Sequence, residues 1–165
     1  MKEKISIKKI IIIAVCLVLV AFCIWFKFPR TLNSFVREED VHLVVISLLD
    51  MSEGGDVKNA AIEDADKIAE FCEKMYKYRF SQYVFETQGN LSYAGNLRIS
   101  VQFCTTLDDG TVTSVTLDVD SYSVSITGVG LEAETKTYSA DLFGNKNVQE
   151  IYDYILAAFN ANYTG

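Results

Sequence analysis

Few residues of this 165-residue chain have the type and spacing that catalysis requires. His42 is the only histidine and lies in an apolar segment, so neither a histidine-dependent triad nor a multi-histidine metal site is expected. The serines form no G-x-S-x-G or S-x-x-K motif, and the glycines form no phosphate-binding loop. We therefore predict no catalytic residue, no metal and no cofactor, with His42 as a structural residue.

Carboxylates are the remaining candidates for chemistry. Asp118 and Asp120 are two residues apart and share one face of a predicted strand, while Asp108 and Asp109 lie in the turn before it. Such a group could bind calcium or supply the acid and base of a hydrolase, but the D-x-[DN]-x-[DN]-G calcium pattern is absent. We interpret these carboxylates as solvated, and a carboxylate-dependent hydrolase is the third functional hypothesis.

All nine tyrosines follow residue 75. Tyrosine favours strands and is also enriched at binding surfaces, because it combines apolar area with one polar tip. The simpler interpretation is that the tyrosines pack between the sheet and the helices, at the half-buried boundary of the core. The sharper hypothesis is an aromatic sheet face that binds a partner protein or a cell-wall glycan, with its candidate residues being Tyr83, Tyr93, Tyr122 and Tyr138.

Four cysteines divide into two pairs. Cys16 and Cys23 lie within an apolar run near the N-terminus, and Cys72 and Cys104 lie further along without C-x-x-C spacing. Cys72 belongs to the apolar stripe of a predicted helix, whereas Cys104 falls opposite the apolar face of a predicted strand. We therefore favour two free thiols over a disulfide between them.

The apolar run extends over 17 residues from Ile10 to Phe26. As a helix it would reach roughly 25 Å, and flanking lysines and the interfacial Trp25 would complete a span of about 30 Å. Four lysines and one acid precede it, which favours a cytoplasmic N-terminus. A cleaved signal or a lipidated cysteine are alternatives, but no A-x-A-like site follows, and Val15 and Phe22 precede the two cysteines.

Charge separates the two parts of the chain. Residues 1–30 carry six basic and one acidic side chain, whereas residues 31–165 carry nine basic and 21 acidic ones, a net charge near minus 12. Such a domain repels phosphate backbones and anionic headgroups, so we predict no nucleic-acid partner and no peripheral lipid binding. The predicted partners are the bilayer, through the N-terminal helix, and another envelope protein.

Hydrophobic periodicity predicts an α+β fold. An N-terminal transmembrane helix precedes a mostly antiparallel twisted sheet of about five to six strands, with two helices packed on one face. The clearest strand is Leu97 to Cys104; Asp64 begins one helix, and Asn147 with Glu150 suggests a capping box for the other. The predicted organisation is a cytoplasmic tail, an anchor, a polar juxtamembrane linker and an extracytoplasmic domain: 1–9, 10–28, 29–40 and 41–165.

The lysine-rich start, the single anchor, and the segments AIEDADKIAEF and NVQEIYDYI resemble, in architecture, small membrane-anchored extracytoplasmic domains of unknown function from Gram-positive bacteria. This resemblance implies a bacterial cell-surface protein, and the apolar run itself gives Ile10, Trp25 and Phe26 as predicted anchor residues. The function that we predict is a non-enzymatic interaction or accessory module of the envelope, and the alternative is a ligand- or glycan-sensing domain.

Overall fold

The computed structural model describes residues 7–27, 29–50, 55–82, 97–106, 109–119, 124–128, 135–139 and 147–164, with the backbone alone at 24–27, 82 and 135–139. The helices among these residues are α1 (Ile7–Lys27), α2 (Ala65–Met75) and α3 (Val148–Asn162), with short 3₁₀ helices at Leu32–Ser34 and Glu38–Asp40. The strands are β1 (Arg30–Thr31), β2 (Val41–Asp50), β3 (Asp56–Ile62), β4 (Arg79–Gln82), β5 (Leu97–Thr106), β6 (Val112–Val119), β7 (Val124–Gly128) and β8 (Thr135–Ser139). The fold class is α+β, as predicted.

The strands form an antiparallel sheet in the order β1-β4-β8-β7-β6-β5-β2-β3. Its main part consists of five adjacent strands, in the order β7-β6-β5-β2-β3. Strands β8, β4 and β1 extend the sheet beyond β7, and the β8–β4 and β4–β1 pairings are short. The described residues therefore contain eight strands where the sequence predicts five to six. Part of the difference is β1, which has two residues and shows no local periodicity, so that only its pairing with β4 defines it.

One face of the sheet forms the core. Ile99, Val101 and Phe103 alternate along β5 and are fully buried, which confirms the period-two pattern read from the sequence. The ring of Phe71 on α2 lies 6.1 Å from that of Phe103, and α3 buries Ile151 completely. Both α2 and α3 therefore cover the same sheet face, as predicted.

The two helix starts differ in how they are capped. The Asp64 side chain accepts a hydrogen bond from the Lys67 amide at 3.0 Å, which confirms the predicted N-cap of α2. The capping box predicted for α3 is wrong, because Asn147 makes no side-chain cap hydrogen bond. Its expected partner Glu150 instead accepts a hydrogen bond from the Tyr78 hydroxyl at 2.8 Å. A tertiary contact has thus replaced the local one.

Residues 29–40 are part of the folded domain. Leu32 is fully buried, Val36 is 4% exposed, and the Val36 carbonyl accepts a hydrogen bond from the Tyr76 hydroxyl at 3.0 Å. The sequence predicts a polar linker here because most of the segment is polar. The two apolar side chains determine its actual position, since burying them against the core removes their surface from water.

Helix α1 has 21 residues, and it contacts the domain at β4. Its large apolar side chains from Ile7 to Phe22 are between 52% and 75% exposed. No helix formed by the described residues combines the length and apolar character that crossing a membrane requires.

Candidate functional site

An open cleft of about 710 Å³ lies between the segment that precedes β2 and the start of α2. The buried side chains of Val41 and Ile68 contribute to its wall. Its polar lining is concentrated in six side chains: Asn33, Glu38, Glu39, His42, Glu63 and Tyr76. We call this the acidic cleft, because three carboxylates and one histidine line it, and no lysine or arginine is among its described lining residues.

Three local features bring these side chains together. The 3₁₀ helix Glu38–Asp40 presents two glutamates directly before β2, and Glu63 lies in the short connection between β3 and α2. The pairing of β2 with β5 shifts register between Val41 and Leu43, so a β-bulge falls at His42. Bulges redirect side chains, and this one leaves the imidazole exposed, with Nδ1 3.3 Å from the Thr106 hydroxyl.

The groups beneath the cleft are poorly suited to acid–base or nucleophilic chemistry. The Tyr76 hydroxyl donates to the Val36 carbonyl, and burial, together with the nearby Cys72, raises its pKa above the ordinary value. Burial likewise raises the pKa of the Cys72 thiol to about 11. Both groups therefore stay protonated at neutral pH, and the cleft offers carboxylates and an imidazole for binding cationic groups.

The raised pKa of Cys72 predicts a loss of stability in alkali. Ionisation is disfavoured in the folded state, so this contribution is complete below the ordinary thiol pKa of 9.0 and is lost as the pH rises towards 11. We expect the free energy of unfolding to fall across that interval, and to fall less in Cys72→Ala. Urea unfolding at pH 8, 9.5 and 10.5 measures it; equal pH slopes for the two proteins would contradict the prediction.

The sheet face opposite the helices, which we call the open face, carries both polar and apolar side chains where it is described. Ser47, Ser100, Asp118 and Ser125 are in register across four strands. Asp118 forms an ion pair with Arg98, with 2.8 Å between carboxylate oxygen and guanidinium nitrogen. The Gln102 side-chain amide donates a hydrogen bond to the Ser114 hydroxyl at 3.2 Å. Val45, Leu49 and Val57 lie on the same face, so its described part combines hydroxyl groups with apolar side chains.

Of the four carboxylates singled out in the sequence, the two that are described each have a partner of their own. Asp118 is held by Arg98, and Asp109 accepts the Thr111 amide at 2.8 Å within its own turn, which lowers its pKa. Asp108 and Asp120 lie outside the described residues. Within the described ranges, no group of three or more histidine, cysteine or acidic side chains is arranged to hold a metal ion.

None of the four tyrosines predicted to form an aromatic face has a described side chain. Tyr83, Tyr93 and Tyr122 lie outside the described residues, and Tyr138 is described by its backbone, which pairs with Val124 and Gln82. Four tyrosines with described side chains pack in the helical layer instead: Tyr76, Tyr78, Tyr152 and Tyr154. The described part of the open face bears no aromatic side chain.

Tyr78 joins the helical layer through its hydroxyl group. The group donates to Glu150 at 2.8 Å, and Lys74 lies 3.8 Å from the same carboxylate oxygen. We expect Tyr78→Phe to destabilise the domain by about 1 kcal/mol, because this is the typical net contribution of one hydrogen bond to the free energy of unfolding. Chemical unfolding of Tyr78→Phe beside Tyr163→Phe, whose ring is 41% exposed, measures this difference. Equal stabilities would show that the hydrogen bond contributes nothing.

The cysteines of the domain are free and separate. Cys72 is buried beneath α2, and Cys104 is half-buried on the opposite side of the sheet, paired in register with Leu43 and Ser114. This agrees with the prediction that the two thiols point to different sides. Among the predicted anchor residues, Ile10 lies on α1 and is 54% exposed. The structure describes Trp25 and Phe26 by their backbone alone.

The acidic cleft was not anticipated from the sequence. Its one visible signal is the run Glu38-Glu39-Asp40 immediately before an apolar strand that contains the only histidine. Glu63 is separated from that run by more than 20 residues, and only the pairing of β2 with β3 brings it near.

Comparisons with protein-family models, with curated proteins and with solved structures found no match.

Proposed function

We propose that this chain is a single-pass membrane protein whose C-terminal domain lies outside the cytoplasm and binds another protein of the cell envelope. The observation that carries the proposal is α1, a 21-residue helix with uncovered apolar side chains, joined directly to a folded acidic domain. Apolar surface of this extent is costly in water and is normally covered by lipid or protein. The resemblance in architecture to anchored Gram-positive surface domains supports the same role.

When residues 24–27, described by their backbone alone, are counted with the rest of α1, the length of the helix is compatible with a bilayer. Its 21 residues correspond to roughly 31 Å of helix, close to the hydrocarbon thickness of about 30 Å. The described side chains of α1 end at Cys23, but the apolar run in the sequence continues to Phe26 and is bracketed by Lys9 and Lys27. Lysines at these positions can extend their ammonium groups to the headgroups.

The partner that this domain suits best is a protein with a basic surface. The net charge near minus 12 attracts cationic partners over a distance of about a Debye length, 8–10 Å at ordinary salt concentrations. The acidic cleft is concave, and its glutamates at 38, 39 and 63 form no ion pair with any described residue. The open face is less suited, because its carboxylate Asp118 is already paired with Arg98.

A non-enzymatic role is part of the proposal. Cys72 is buried with a raised pKa, His42 bonds only to Thr106 among the described side chains, and Asp118 is paired with Arg98. The Thr106 hydroxyl is the described nucleophile that lies next to the imidazole, and no described carboxylate hydrogen-bonds to that imidazole to orient it. The glycan-sensing alternative requires stacked aromatic rings, and the described part of the open face supplies none.

Photo-crosslinking in intact cells tests the proposed binding surface. A benzoylphenylalanine is placed at Ala65, which lines the cleft, at Gln102 on the open face, or at Gln149 on the exposed side of α3. We expect one discrete adduct from position 65 and none from 102 or 149. An adduct from position 102 alone would move the binding surface to the open face.

The charge requirement is tested by neutralising the cleft. The variant E38Q/E39Q/E63Q should weaken the position 65 adduct at least tenfold, because it removes the carboxylates that would pair with the basic partner. The control E70Q/E73Q/D153N makes the same change in net charge on exposed helical positions. An equal loss in both variants would indicate a general effect of charge, and an unchanged adduct in both would overturn the role of the cleft.

A further inference from the structure

Three arginines differ from most of the other described basic side chains. Arg30, Arg37 and Arg79 are exposed, and none forms an ion pair with a described residue. Elsewhere basic groups have partners, as in Lys77 with Glu73 at 2.9 Å and Arg98 with Asp118 at 2.8 Å. In a domain with more than twice as many acids as bases, exposed arginines without a described ion-pair partner require an explanation.

The sheet places two of these arginines on its outermost ribbon. β1 is the edge strand, and its pairing with β4 sets Arg30 opposite Phe80 and Thr31 opposite Arg79. Because side chains alternate along a strand, the two arginines lie on opposite faces of the ribbon. Positive charge therefore flanks both sides of this edge.

The same edge adjoins the anchor. Helix α1 ends at Lys27, β1 begins at Arg30, and α1 contacts β4. Only two residues separate the helix from the edge strand, and Leu32 and Val36, which follow, are packed into the core. The β1–β4 edge must consequently stay close to whatever surrounds the end of α1.

We propose that the β1–β4 edge rests on the outer surface of the bilayer, where Arg30 and Arg79 bind lipid phosphate groups and set the orientation of the domain. This rests on the proposed anchoring by α1. Guanidinium groups match phosphate through paired hydrogen bonds, and basic side chains next to a membrane anchor add to its affinity for anionic lipid. The net charge of the domain argues against lipid contact in general, but this edge is a local exception to that average.

Hydrogen exchange of the full-length chain in lipid nanodiscs tests the proposal. Amide exchange in β1 and β4 is compared between phosphatidylcholine discs and discs containing half phosphatidylglycerol. We expect exchange at this edge to slow by about fivefold for each arginine contact in the anionic discs. β3, the opposite edge of the sheet, should exchange at the same rate in both.

Matched variants separate lipid binding from a purely structural role. R30Q/R79Q lowers the net charge by two and should abolish the lipid-dependent slowing. Lys67→Glu makes the same charge change on an exposed and unpaired side chain of α2, and should preserve it. Exchange at β1 and β4 that is indifferent to lipid composition would overturn the proposal and leave the arginines as protection of an exposed edge.

Failure of the anchor itself would look different. A chain that does not insert would fail to copurify with nanodiscs of either composition. A chain that inserts in both, without lipid-dependent exchange at β1 and β4, would retain the anchor and reject the contact at the edge.

Discussion

Replacing Val18 and Leu19 by arginine is expected to release the full-length chain from the membrane. Both side chains lie at the centre of the apolar run and are 68% and 58% exposed, so neither is needed for packing within the domain. Two arginines at a bilayer centre cost about 5–7 kcal/mol, which is comparable with what the whole run contributes to insertion. The proposed anchor therefore has no reserve to absorb this change.

Extraction with alkaline carbonate measures the effect. The unmodified chain should remain in the membrane pellet, and V18R/L19R should move to the supernatant or be degraded. V18A/L19A, which keeps the helix apolar, is the matched control and should remain in the pellet. If carbonate extracts the unmodified chain as readily as V18R/L19R, α1 does not anchor the protein.

Leu32→Ala should destabilise the domain by about 2–5 kcal/mol, the range found when large buried side chains are truncated in well-packed cores. Leu32 lies only five residues beyond α1, yet it is fully buried. Truncation of Leu32 should also loosen the packing of the segment that joins α1 to β2. Val36, whose carbonyl accepts the hydrogen bond from Tyr76, lies in that segment.

Asn33→Ala is the control for this change, because Asn33 is the exposed neighbour of Leu32 and surface substitutions usually stay within about 0.5 kcal/mol. Urea unfolding of the full-length chain in detergent, followed by circular dichroism of the sheet, compares the two variants. Similar midpoints for Leu32→Ala and Asn33→Ala would mean that residues 29–40 act as a linker. A large difference would establish that the domain extends to the end of α1.

Those elements that the sequence predicts well are the ones governed by local rules. The alternation along β5 and the Asp64 cap depend on residues within a few positions of one another, and both are confirmed. The hairpin that joins β5 and β6 also follows from local chemistry, since Gly110 adopts a positive φ of 81°. In each case the signal and the structure lie in the same short segment.

Elements that depend on distant partners were missed or misplaced. The two-residue β1 forms because β4, nearly 50 residues later, provides a place to pair, and Glu150 leaves its predicted cap position to accept from Tyr78. Glu38 and Glu63 line the same cleft because β2 pairs with β3. A pattern within one segment carries no information about such contacts.

By itself the sequence determined the composition of the two parts of this protein: an unbroken apolar run behind a basic start, and a strongly acidic domain of strands and helices. Periodicity sets which face of each element avoids water, so the α+β class followed from it. Only the tertiary structure decided where charge is concentrated. Packing Leu32 and Val36 into the core fixes the segment after α1 against the domain. The pairing of β2 with β3 brings Glu63 to the cleft that Glu38 lines, because burial and pairing act between residues far apart in the chain.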